Sequence, residues 1–177
     1  MKLLAIDPSS TSCGVAYFTD ELLTPPCSPQ PMATDRFRPK ASLPWTERMD
    51  YIAGELARSS STRGWDPDVV AIEDTVFARS VSAAITMGAT KGYLLRIVRE
   101  LYPRARIFPV HPATVRAAMS APRSRQGAKA KFALVAAAMA PYLETGSEDE
   151  RDAMAIGWAA LGKLREERMG EGKVATG

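Results

Sequence analysis

The chain reads as one mixed α/β layer structure. Two β-type runs open it, Leu3 to Ile6 and Gly14 to Phe18. Further strand-like runs then alternate with segments of helical periodicity, and 177 residues suit one compact domain.

The first run is apolar and closes on the turn cluster Asp7-Pro8-Ser9-Ser10, so it and the second run read as neighbouring strands. Residues 24–33 (TPPCSPQPMA) hold four prolines, which suits a loop or a sheet-edge excursion and excludes a helix. From Leu43 onward Leu43, Trp45, Met49, Ile52 and Leu56 recur at helical spacing, with Pro44 in the first turn and SSSTRG expected to break the helix. Asp68 to Glu73 is almost continuously apolar, as in a strand covered on both faces. A long helix is expected over Ser80 to Leu101, with Ala84, Met87, Leu94, Leu95 and Val98 facing inward.

Residues 105–110 (ARIFPV) form another strand, placed near a sheet edge or cut short by Pro109. Helical character follows around Ala113 to Met119, from Lys129 to Leu143, and from Asp149 to about Arg168. The expected organisation is a single domain over 1–168 and a flexible tail over 169–177.

A formal charge of +3 permits a polyanionic partner without demanding one. Cys13, Cys27 and the single histidine, His111, cannot assemble a Cys/His zinc site within one chain. Asp7 interrupts the apolar N-terminus, and no segment reaches transmembrane length. A reduced, soluble, cytoplasmic protein without a membrane partner is expected.

The acids are placed against apolar runs. Asp7 ends the first strand and Glu73 the most apolar one. A carboxylate at the end of a buried strand is costly unless a cation or hydrogen-bond donors meet it. If the two strands are neighbours, mutual repulsion invites a metal ion. Asp149 and Asp152 are three apart and share one face in the first turn of a helix. Ala153, Ile156, Ala160 and Leu164 form part of that helix's buried stripe, and small residues there let it sit close to the sheet. Singly, each acid is explained as a strand end or a helix cap. Together they are the oxygen ligands of a pair of hard divalent cations, which at about 4 Å separation activate water against a phosphodiester. Magnesium, with manganese as substitute, fits a site of oxygen donors alone.

The opening LLAIDPSSTSCGVAYF, the stretch PDVVAIEDTVF and the closing DERDAMAIGWA resemble, in order and spacing, the RuvC family of Holliday-junction resolvases. LPWTERMDYIAGEL and MGATKG extend the resemblance over residues 1–165 or so. The resemblance implies an RNase H-like fold, a mixed five-stranded sheet flanked by helices, in a two-fold homodimer. It also implies magnesium-dependent cutting of two opposed strands of a four-way junction. The family's four catalytic acids fall on Asp7, Glu73, Asp149 and Asp152, with Asp7 expected to bridge both ions.

Between Pro112 and Phe132 stand Arg116, Arg123, Arg125, Lys129 and Lys131 with no acid, either a DNA-phosphate patch or a solvated face. Arg116 and Lys129 are the nearest matches to the family's basic positions, and Lys129 is also a candidate for neutralising charge at the scissile phosphate. Phe77 matches the family's junction-probing aromatic, with Arg79 beside it as a further DNA contact; the alternative is a buried Phe anchoring a loop. Trp45 and Trp158 fit the core, whereas Trp65 fits either packing or exposure. His111 stands either near the phosphates or as a helix cap.

The chain departs from the family in three places. Ser9 replaces the usual glycine, and its side chain either contacts phosphate or restricts the turn. The segment from Glu73 to Phe77 is one residue longer than usual, and the proline-rich stretch has no counterpart. A divergent member, of the kind a phage or mobile element carries, has this character. The rival functions are a nuclease of the same fold acting on flaps, forks or RNA–DNA hybrids, and a non-catalytic branched-DNA-binding module. An actin-like phosphotransferase, suggested by DPSST, needs a second domain that 177 residues cannot supply. Small residues Ala83, Ala84, Gly88 and Ala89 on the long central helix suit either a dimer interface or packing on the sheet.

Overall fold

A computed structural model describes residues 1–19, 32–74, 80–118 and 147–174, with side chains placed up to residue 168. Its elements in chain order are β1 (Leu3–Asp7), β2 (Cys13–Phe18), β3 (Ala33–Phe37), α1 (Trp45–Arg63), β4 (Val69–Glu73), α2 (Val81–Leu101), β5 (Arg106–Val110), α3 (Pro112–Ala118) and α4 (Glu148–Val174). The five strands form one mixed sheet in the order β3-β2-β1-β4-β5. β1, β2 and β3 pair antiparallel, while β4 lies parallel to both β1 and β5.

Strand side chains alternate between faces, and two separate cores follow. Leu3, Ala5, Ala16, Phe18, Val69 and Ala71 pack against α4, with Ala153, Ile156, Ala160 and Leu164 from the helix. Leu4, Ile6, Val15, Val70 and Ile72 pack the other way, against Met49, Ile52 and Leu56 of α1 and Leu94 and Val98 of α2. The central pair β1–β4 is thus covered on both faces, which explains its unbroken apolar sequence. α4 sits very close: a Cβ at Gly157 would lie 2.3 Å from the Phe18 ring and 3.2 Å from the Ala5 methyl. Small residues bring this helix onto the sheet, as the sequence predicts.

Several expectations need correction. α1 does not break at the serines but continues to Arg63, ending at Gly64 in the left-handed conformation (φ 64°). The serines are satisfied inside the helix's packing: Ser60 donates to the Leu56 carbonyl and bonds Tyr102, and Ser59 donates to Asp35. α2 buries only Thr90, Leu94 and Val98, while Ala84 and Met87 are exposed, because the residues it contributes to the core, from Tyr93 to Leu101, lie in its second half. α4 continues past residue 168 to Val174, since no proline or left-handed glycine stops it. β3 is a fifth strand that hydrophobic patterning did not indicate. β5 does carry Pro109, and it is the edge strand that proline requires. The helix expected over Lys129 to Leu143 lies outside the described residues.

Trp45 and Trp158 are partly buried against the two cores. Trp65 is buried, stacked on Tyr17 with ring centroids 5.5 Å apart.

Candidate active site

Asp7 and Glu73 are the last residues of β1 and β4. The parallel register sets Ile6 beside Ile72, so the two acids finish adjacent strands at the same end. Alternation puts both on the α4 face, one step beyond Ala5 and Ala71. Across the sheet, Asp7 pairs with Gly14, Gly14 with Arg36, and Glu73 with Val110. Glu73, Asp7 and Arg36 therefore share a row interrupted by one residue without a side chain.

That gap receives α4. A Cβ at Gly14 would lie 2.0 Å from the Asp149 carbonyl oxygen, so the helix's first turn rests directly on β2 beside Asp7. The turn is fixed by a capping box: Glu150 N–H donates to Ser147 Oγ at 3.3 Å, and Ser147 N–H donates to Glu150 Oε2 at 2.8 Å. The Thr34 hydroxyl ties Glu150 to β3 at 2.9 Å. Burial alone would raise the Glu150 pKa, but the hydrogen bonds from Ser147 and Thr34, together with Arg36, hold it below its ordinary value. Glu150 is therefore a structural acid, and its neighbour Asp149 is left to face the row.

The Asp149 carboxylate accepts a hydrogen bond from Ser12 Oγ at 2.6 Å, and Arg36 Nη1 lies 4.0 Å from the same oxygen. Asp152, one turn further on, is only 7 % exposed. Burial pushes the Cys13 thiol up strongly, and the charges of Asp7 and Asp149 push it the same way. The pair Asp74–Lys91 lies directly after Glu73, and Asp74 N–H donates to the Val110 carbonyl at 2.8 Å.

All four sequence-predicted acids thus stand on one face and at one end of the sheet, as oxygen donors from two strand ends and one helix start. As a set of oxygen donors they suit hard divalent cations in chemistry. Among the described residues, no three acidic, histidine or cysteine side chains converge on a single point. No described helix is long and apolar enough to cross a membrane.

Ser9 restricts its turn: its hydroxyl accepts from the Thr11 and Ser12 N–H groups. His111 is a cap, its Nδ1 accepting from Ala113 N–H at 3.1 Å. Arg116 is exposed on α3. Phe77, Arg79, Arg123, Arg125, Lys129 and Lys131 lie outside the described residues. Sequence reasoning missed Ser12, Gly14 and Arg36. A glycine directly before a β-branched and aromatic run was the available signal for Gly14; the polar loop and the edge strand offered none for the other two.

No protein-family model matches the chain. A crossover junction endodeoxyribonuclease RuvC of Akkermansia muciniphila is 27% identical over 176 residues, covering 91% of this chain and 90% of that protein. Thermus thermophilus RuvC in complex with a Holliday junction substrate superposes with a TM-score of 0.70 at 19% identity, covering 96% of this chain and 97% of that one. The yeast mitochondrial Holliday junction resolvase gives 0.59 at 10% identity, over 90% of this chain and 77% of that one. In sequence along its length, and in its RNase H-like fold, this chain is RuvC-like.

Proposed function

We propose that the chain is a crossover junction endodeoxyribonuclease, hydrolysing two opposed strands of a four-way DNA junction. One observation carries this reading. Asp7 and Glu73 end neighbouring parallel strands on the face that α4 closes, and α4 brings Asp149 and Asp152 there by resting on Gly14. Carboxylates at these positions would hold two magnesium ions, with manganese as substitute. Such ions, when bound, supply an activated water and stabilise the leaving oxygen of a phosphodiester. The chain's own contribution is placement: Ala5 and Ala71 beneath the acids give them a dry, rigid floor, which strengthens their hold on charge.

DNA contacts are assigned to Arg116 and, beyond the described residues, to Phe77, Arg79, Arg123, Arg125, Lys129 and Lys131. Lys129 is further assigned to the charge developing at the scissile phosphate. Two symmetry-related cuts call for two related sites, hence a homodimer. The first half of α2 supports one, because Val81, Ile85 and Met87 are 77, 67 and 39 % exposed on a single helix.

The test is cleavage of a synthetic four-way junction, a flap, a fork, an RNA–DNA hybrid and linear duplex, each with magnesium. Paired symmetric nicks confined to the junction are expected. Preferential cutting of flaps, forks or hybrids would instead assign a different substrate to the same site. Tight junction binding without cleavage of any substrate would make the chain a binding module.

A further inference from the structure

We propose that Ser12, held in place by Ser9, is a positioning residue that orients Asp149 for metal ligation. The proposal rests on the reading of Asp149 as a metal ligand.

Ser12 follows a tight polar turn at the mouth of the acid row. The Ser9 hydroxyl accepts from Thr11 N–H at 3.2 Å and from Ser12 N–H at 3.4 Å, and it shares a hydrogen bond with Thr11 Oγ1 at 3.0 Å. A glycine at position 9 would provide none of these bonds. The turn delivers Ser12 to α4, 137 residues away in sequence, where its hydroxyl donates to Asp149 Oδ2 at 2.6 Å. That is the length of a charge-assisted O–H···O⁻ bond.

Arg36 approaches the same Oδ2 from β3. Both partners act on Oδ2, and Oδ1 is the atom assigned to the ion. A carboxylate with one oxygen hydrogen-bonded loses its rotational freedom before the metal arrives, so less ordering accompanies binding. A hydroxyl suits the task, because it adds no charge to compete with the cation. Arg36, at 4.0 Å and about a third exposed, offsets the acid's charge until a cation takes over.

Manganese affinity measured by electron paramagnetic resonance of the free ion tests this without reference to turnover. Ser12→Ala is expected to weaken manganese binding by about 10- to 100-fold, the range for losing an outer partner of a metal ligand. Ser9→Gly should weaken it less, and Ser12→Thr should restore it. Asp149→Asn serves as the reference and should weaken it at least as much as Ser12→Ala. Wild-type affinity in Ser12→Ala, with affinity lost in Asp149→Asn, overturns the positioning role alone. Wild-type affinity in both variants overturns the positioning role and the metal-site reading together. Failure of Ser12→Thr to restore binding would also count against the hydroxyl.

Discussion

The carbonyl oxygen of Asp149 lies over the α-carbon of Gly14, with no room between them for a methyl group. Because Gly14 is also the cross-strand partner of Asp7, this contact sets the distance between the strand acids and the helix acids. Backbone meets backbone here, so neither side can yield by changing a rotamer. Gly14→Ala is expected to cost about 1–3 kcal/mol of stability through overpacking. It should also displace the start of α4 and lower junction cleavage far more than the lost stability explains. Thermal melts and cleavage rates on the same preparation separate the two effects.

Asp7→Asn removes one of the four carboxylates that share this face and end of the sheet. Cleavage should fall by more than about 100-fold, beyond what the loss of an outer partner of a metal ligand costs. In a chelator the variant should melt no lower than wild type, because repulsion among the acids is relieved. Magnesium at about 100 times its dissociation constant should stabilise the wild type by about 2.7 kcal/mol and the variant by less. A clear loss of metal-free stability in Asp7→Asn would mean that the acid holds the fold together and does not strain it.

The capping box gives a prediction in pH. The folded pKa of Glu150 is depressed, so its contribution to stability is fully present above the unfolded value of about 4.3 and fades as pH falls through the lower folded value. Acid melts of metal-free Glu150→Gln should therefore fall less steeply below that point than those of wild type. Ser147→Ala should cost about 1 kcal/mol at neutral pH through loss of the cap. Identical acid limbs for wild type and Glu150→Gln would contradict the assignment.

Ile85→Glu places a charge in the exposed apolar stretch of α2. If this surface joins two copies, light scattering should report monomers at concentrations where the wild type is dimeric. The helix should still fold, because its buried anchors Thr90, Leu94 and Val98 are untouched. Coordinated cutting of opposed strands should give way to single, uncoupled nicks.

The acid row was legible because it lies where two strong patterns stop. Val69 to Ile72 and Leu3 to Ile6 are buried runs, and the acid after each breaks the pattern at a definite position. The helix acids were legible for a similar reason, since the spacing of Asp149 and Asp152 precedes the stripe through Ala153 and Ile156. β3 was not, because ATDRF is an edge strand with polar side chains on both faces: Thr34 and Arg36 reach α4, and Asp35 reaches Ser59 and Arg63 of α1. Only Phe37 is fully inside. The helical run of Ser59 to Arg63 was hidden likewise, because the partners that satisfy those serines, Asp35 and Tyr102, are distant in sequence. Ser12 belongs with these, since its meaning lies wholly in a residue 137 positions away.

The sheet order has one more consequence, for the chain during its synthesis. β1 and β2 can pair as soon as both exist, but β4 must await α1 before it can lie parallel to β1. Asp149 and Asp152 arrive later still, on a helix that follows all five strands. Folding that proceeds with translation would leave the strand acids without their helix counterparts until α4 has been made. On the proposed reading, a growing polypeptide would lack the full set of acids, and with it the capacity to cut, until α4 had emerged.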